Sequence, residues 1–299
     1  MNSVVGLGVW LVAYVALPPS TPMEARILLL APLVIVPRLL GLLPSRPWIG
    51  RLAGWPALVA ALPLIVAFAL PAGPVAVIFA LPWLAIALIG TSSAIVHGLP
   101  RLPDLLRPSR ASELGVDVAL GFWSIGALFI AVDRLGLQTG FSPDIVLLTG
   151  VHFHFAGFGL LGLTSLLATD RPWLRASVFG LVVGIPVTAV GFVASSDAIS
   201  AIGALIVGTA GIGIAVALVS TRVHGTARWA QRAAGVALLV GMPMGIAWSV
   251  SILFGPRFLD LDTMIATHGA LNAMAVLLTV LSLGWSTPST TLDSNIGSG

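Results

Sequence analysis

Residues 198–218 read AISAIGALIVGTAGIGIAVAL, an apolar run with no charge in it. As a helix rising 1.5 Å per residue, a run of this length covers the roughly 30 Å hydrocarbon core of a bilayer. A water-soluble domain would have to wrap it in polar neighbours, and the chain does not supply them. Of its 299 residues, 58% are hydrophobic and 8% charged, where soluble domains carry roughly 25% charged. Lipid is the solvent that makes this composition stable. The expected fold is therefore all-α, a polytopic transmembrane helix bundle.

Outward from this run, clusters of Pro, Arg and Asp divide the chain into about ten spans. They cover residues 4–17, 27–43, 52–70, 75–97, 111–132, 145–168, 176–194, 198–218, 230–254 and 264–283. Charge gives an independent check. All 14 basic residues are Arg. The connections after even-numbered spans hold Arg46, Arg51, Arg101, Arg107, Arg110, Arg171, Arg175, Arg222, Arg228 and Arg232. The odd-numbered connections hold only Arg26, Arg134 and Arg257. Cytoplasmic loops retain positive charge, so the Arg-rich side is cytoplasmic and both termini fall there. The other side carries Glu24, Asp133, Asp144, Asp197, Asp260 and Asp262.

Residues 1–285 thus form one transmembrane domain, multi-pass in the cell membrane with lipid as its partner. Residues 286–299, rich in Ser, Thr and Gly, read as a disordered cytoplasmic tail. Scattered arginines set topology and do not make a phosphate-binding patch, so no nucleic-acid partner is expected. The chain has no Cys, which excludes thiolate metal sites and Cys nucleophiles. Gly203, Gly208, Gly211 and Gly213 are expected to permit close helix packing.

Ionisable groups inside a membrane are costly, so each is a candidate for function. The sixth span enters from outside and places His152 and His154 roughly 10–14 Å deep. The tenth places His268 roughly 6–8 Å deep, with Asn272 one turn further. Two segments far apart in sequence thereby bring imidazoles to comparable depth. Asp133 and Asp197 lie near the same level. Residues two apart on a helix point about 200° apart, so His152 and His154 cannot share one metal. One ring is expected to face a cavity and the other a neighbouring helix, where a His also serves as a hydrogen-bonding spacer. Near the inner side, Glu113 and Asp117 share a face at i and i+4, and Arg38 within the second span is expected to pair with Asp117. No metal site is assigned.

The stretch from His152 to Phe158, with His268-Gly269 and Asn272, resembles the YndJ-like family of polytopic membrane proteins. The resemblance implies that His152, His154, His268 and Asn272 are signature positions, and it carries no mechanism. His152-Phe153-His154 is also similar to the His-Phe-His of haem-copper oxidase catalytic subunits, and His268-Gly269 to their His-Gly. In those enzymes the two imidazoles leave one helix on opposite sides to bind different haems. Here no adjacent His-His pair exists, the only Tyr is Tyr14, and the two segments come in reversed order. A full oxidase is excluded; a bis-His haem remains as the cofactor this resemblance would imply.

Three functions follow. The first is a membrane-embedded acid–base enzyme, an isomerase or cyclase, acting on a lipid-soluble small molecule. It would use His152 or His154 as base, His268 as acid and Asn272 as orienter. The second is a proton-coupled transporter joining the outer His layer to Arg38, Glu113 and Asp117. The third is haem or metal binding. Elemental analysis of the purified protein tests the third: near-stoichiometric iron supports it, and a metal-free protein removes it.

Overall fold

The computed structural model describes residues 2–43, 47–255 and 258–283. Arg46, Arg257, Trp285, the 286–299 tail and the side chain of Trp48 lie outside the described residues. Those described are helical, with no strand among them. The elements are α1 (Asn2–Ala16), α2 (Met23–Leu28), α3 (Val36–Leu40), α4 (Pro47–Leu52), α5 (Trp55–Ala61), α6 (Pro63–Ala69), α7 (Pro74–Gly98), α8 (Leu102–Leu105) and α9 (Ala111–Leu135). They continue with α10 (Pro143–His152), α11 (Leu161–Asp170), α12 (Arg175–Val193), α13 (Asp197–Val219), α14 (Gly225–Ser251), α15 (Leu261–Met264) and α16 (Ala270–Leu283). Three wider π-helical segments, Ala31–Ile35, Phe153–Leu160 and Ile265–Gly269, join α2 to α3, α10 to α11 and α15 to α16.

Seven continuous helical stretches are long and apolar enough to cross a membrane: Pro74–Leu105, Pro108–Leu135, Pro143–Asp170, Pro172–Val193, Asp197–Val219, Gly225–Ser251 and Leu261–Leu283. They correspond to the fourth to tenth spans read from the sequence. The first three of those spans take a different form, as shorter pieces. Proline is the reason in the second and third, while the first is the single 15-residue α1. Pro56 and Pro63 fall at the starts of α5 and α6, and Pro32 and Pro37 interrupt the segment between Met23 and Leu40.

That second segment lies at the centre of the bundle. Ala31, Pro32, Leu33, Val34, Ile35, Val36 and Pro37 are all buried. Pro37 has no N–H to give the Leu33 carbonyl four residues back. The chain answers with a π turn, in which the Val36 amide donates to Ala31. Gly6 of α1 lies directly on the Leu33 carbonyl, where any Cβ would overlap it. Irregular backbone at membrane depth is stable where protein covers it in this way.

α13 sits between α12 and α14, and its glycines are where the helices meet. A Cβ on Gly203 would overlap the Thr188 backbone, and one on Gly213 would lie 2.6 Å from Ser177 Oγ. On the other side, a Cβ on Gly211 would come within 2.6 Å of Met242 Sδ, and Gly208 lies against Ile246. The apolar run that decides the fold thus joins its neighbours through missing side chains. Gly203→Leu and Gly211→Leu are each expected to destabilise the protein by about 1–3 kcal/mol through overpacking. Thermal unfolding in detergent measures this, and unchanged midpoints in both would refute the packing role.

Candidate functional site

Both histidine motifs coincide with π-helical segments. His152 ends α10 and His154 follows within Phe153–Leu160, while His268 lies in Ile265–Gly269 and Asn272 in the first turn of α16. π-Bulges concentrate at functional sites. No spacing in the sequence announces them. The only local sign is small residues along FHFAGFGL, where Gly157 packs on Phe122 and Gly159 on Val276.

The two-residue spacing of His152 and His154 sends the rings to different neighbours. His154 is fully buried. Its Nε2 accepts from Trp83 Nε1 at 2.9 Å, and its Nδ1 lies 2.8 Å from the Gly150 carbonyl. Indole N–H only donates and a carbonyl only accepts, so the proton sits on Nδ1. The ring stacks on Trp83 with centroids 5.9 Å apart, and Trp83 meets Trp123 edge-on at 5.3 Å. Gly126 makes room, since a Cβ there would stand 2.6 Å from Nδ1. Both nitrogens of His154 are therefore committed to the protein. A bis-His haem does not fit this residue, because a ligand nitrogen would have to give up Trp83 inside close packing.

His152 is exposed. Its Nδ1 donates to the Leu148 carbonyl at 2.8 Å, leaving the lone pair on Nε2. His268 lies within electrostatic reach of it. The Nδ1 of His268 donates across to the Gly241 carbonyl of α14 at 2.7 Å, and the Asn272 amide nitrogen lies against the ring, 3.2 Å from Nδ1 and 3.1 Å from Nε2. The fit depends on two glycines one turn apart on α14. A Cβ on Gly245 would stand 2.6 Å from His268 Cε1, and one on Gly241 would stand 2.6 Å from Asn272 Oδ1. That Oδ1 is buried and has no hydrogen-bond partner among the described residues.

A cavity of about 280 Å³ opens at one end of the bundle. Ile145 of α10 lines it, as do Trp248 and Ser249 of α14 and Ile252 just after it. Ile145, Thr149 and His152 follow one helical face at i, i+4 and i+7; Gly241, Gly245 and Ser249 follow one on α14 at i, i+4 and i+8. These two faces run from the cavity toward the level of His152 and His268, about 10 Å along the helices. Beyond Asn272, the residues Ala273, Ala275, Val276, Leu277 and Val280 are buried.

The expected carboxylates divide. Asp197 lines the cavity. Asp133 instead pairs with its neighbour Arg134 at 2.7 Å, and that guanidinium lies 4.7 Å over the Phe68 ring. Among the described residues, no three His, Asp or Glu converge as metal ligands. At the opposite end the expected Arg38–Asp117 pair is not formed, for no ion pair joins them among the described residues. Asp117 packs against Gly98, where a Cβ would meet its Oδ2 at 2.6 Å. Glu113 turns to the preceding loop, pairing with Arg101 at 2.9 Å and with Arg110 three residues earlier. The loop folding back onto α9 brings Arg101 into reach, and spacing along one helix could not reveal that partner.

Seven apolar membrane-length helices define a multi-pass integral membrane protein. Within that class the chain belongs to the YndJ-like family, whose profile matches residues 26–276. The match takes in all three π segments and the residues His152, His154, His268 and Asn272. No curated protein and no solved structure matches the chain.

His154→Ala leaves the Trp83 N–H buried without an acceptor and opens a hole beside it, at an expected cost of about 2–4 kcal/mol. His152→Ala is expected to change stability by no more than about 0.5 kcal/mol. Detergent thermal unfolding of the two variants checks this; equal losses would contradict the division of roles.

Proposed function

We propose that a groove leading from the cavity to His152 and His268 is the active site of a membrane-embedded acid–base enzyme that isomerises or cyclises a lipid-soluble substrate. The observation that carries the proposal is that His152 and His268, on segments far apart in the sequence, lie within electrostatic reach of each other. His152 has its Nδ1 proton fixed on a carbonyl and its Nε2 lone pair uncommitted among the described residues. In this reading His152 Nε2 removes a proton from substrate carbon and returns it at another position, so mass and charge are conserved. His268, held by Gly241, orients the Asn272 amide, whose second N–H steadies the negative charge that develops on the substrate. Hydrogen-bond geometry thus favours the reverse of the assignment first drawn from the sequence, in which His268 was the acid and Asn272 the orienter. His154 anchors the segment that carries His152.

The same reading has the chain crossing the cell membrane ten times, with both termini cytoplasmic and the groove in the outer leaflet. Its supports are the sidedness of the arginines and the burial of residues 28–37 at the bundle centre. A transporter is the second reading, favoured by π interruptions in three helices, one of them Pro-broken. Against it stand the burial of the residues beyond Asn272 and the pairing of Glu113 with loop arginines.

Isomerisation predicts a change without a mass shift. Lipid extracts of cells making the wild type should contain a species of unchanged mass and altered chromatographic retention, absent with His152→Ala and Asn272→Ala. Identical extracts, together with uptake into reconstituted vesicles driven by a pH gradient, would replace the enzyme with the transporter. Topology has its own test, because no native Cys competes. Asn2→Cys and Ser109→Cys should react with an impermeant maleimide only in opened cells, and Ser195→Cys in intact ones. Labelling of Asn2→Cys in intact cells would reduce the count to an odd number.

A further inference from the structure

The end of α12, α13 and α14 opposite the cavity gathers arginines that stand apart along the chain. Arg171 and Arg175 flank the turn into α12, and Arg222, Arg228 and Arg232 lie between the end of α13 and the first turns of α14. Arg171 donates to the Ala217 carbonyl, which sets the α11–α12 turn against the last turn of α13. The loop after α13 folds onto α14, where Thr221 donates to Gln231 Oε1 at 2.5 Å. Arg228 donates from Nε to the Val223 carbonyl at 3.0 Å and from Nη2 to His224 Nδ1 at 2.8 Å. Along the sequence these five cations read as scattered; helix packing brings them to one end of three neighbouring helices.

Their surroundings differ from those of the other arginines on this side. Arg101 and Arg110 pair with Glu113, and Arg107 pairs with Asp104. Holding a loop in the cytoplasm is thus compatible with neutralised arginines. None of the five at α12–α14 pairs with a carboxylate among the described residues. Asp170 is the only acidic residue in 169–175 and 219–232, and residues 284–299 add only Asp293. Positive charge therefore stays in excess wherever that last stretch lies. Two indoles mark the same level. Trp173 lies between Arg171 and Arg175, Trp229 follows Arg228, and both rings are exposed. The Arg232 guanidinium carbon stands 5.9 Å from the centre of the Trp229 ring.

We infer that this end of α12–α14 is a binding surface for anionic phospholipid. Arg175, Arg222, Arg228 and Arg232 hold headgroup phosphates, for which the planar guanidinium is suited. Trp173 and Trp229 sit at headgroup level, where amphipathic rings settle. Arg228 is already fixed by Val223 and His224, so it loses little side-chain freedom on binding. A zwitterionic lipid carries its own cation beside the phosphate and gains less from the surface. Lipid binding here needs neither His152 nor His268, and it stands or falls apart from the enzyme reading.

The test uses the full chain in detergent, titrated with phosphatidylglycerol or with phosphatidylcholine and read by native mass spectrometry as lipids bound per protein. Phosphatidylglycerol is expected to bind about tenfold more tightly. Arg175→Gln with Arg222→Gln should remove most of that preference, as should Arg228→Gln with Arg232→Gln, while Arg101→Gln with Arg107→Gln should leave it. Neither Arg175 nor Arg222 donates a side-chain hydrogen bond among the described residues, so the first pair spares the fold, and thermal unfolding in detergent checks it. Equal affinity for the two lipids overturns the inference. So does a preference that survives both substituted pairs, or one lost equally with Arg101→Gln and Arg107→Gln, which would mark diffuse charge. Displacement of phosphatidylglycerol by free glycerol phosphate as readily as by the lipid would also overturn it, giving the surface to a soluble anion.

Discussion

Every peptide group at membrane depth must find its hydrogen-bond partner within the protein, and the rest of this structure depends on that constraint. Its effect is plainest between Met23 and Leu40. Two prolines remove donors there, and the chain responds with a π turn and burial of every residue from Leu28 to Pro37 instead of a straight lipid-facing helix. Gly6 of α1 completes the cover by lying on the Leu33 carbonyl. A segment that would be untenable against lipid becomes the centre about which the long helices pack.

The same constraint fixes the imidazoles. His152, His154 and His268 each direct Nδ1 to a backbone carbonyl, so each ring is held in one tautomer with its basic nitrogen on the far side. What differs is the surroundings of Nε2. Trp83 occupies it in His154, Asn272 lies against it in His268, and His152 keeps it uncommitted among the described residues. Chemistry and structure are thereby divided among three copies of one residue type. The division follows packing: α7 brings an indole to one ring, and the two glycines of α14 admit another.

Much of the fold was legible in the sequence. The seven long helices lie where uncharged apolar runs lie, because crossing hydrocarbon demands length and apolarity that composition displays directly. The glycines of α13 read correctly as contact points, since a residue without a side chain in such a run has packing as its main use. The divergence of His152 and His154 followed from helical geometry. Less legible were the π segments, which arise from hydrogen bonds skipping a residue and leave no spacing signature. The pairing of Glu113 with Arg101 was likewise hidden, since it depends on how a loop folds back.

By itself the sequence determined that the chain is a helical membrane bundle, where most of its helices run, and which polar residues stand inside them. Those are properties of residues one at a time, or one turn apart. Tertiary structure alone decided that His154 belongs to Trp83 and His268 to Gly241, and that Ser195 and Asp197 line one cavity with Trp248 and Ser249. Such pairings join elements separated by dozens of residues. They are set by which helix faces pack against each other, and in an apolar bundle that choice turns on small residues and hydrogen bonds.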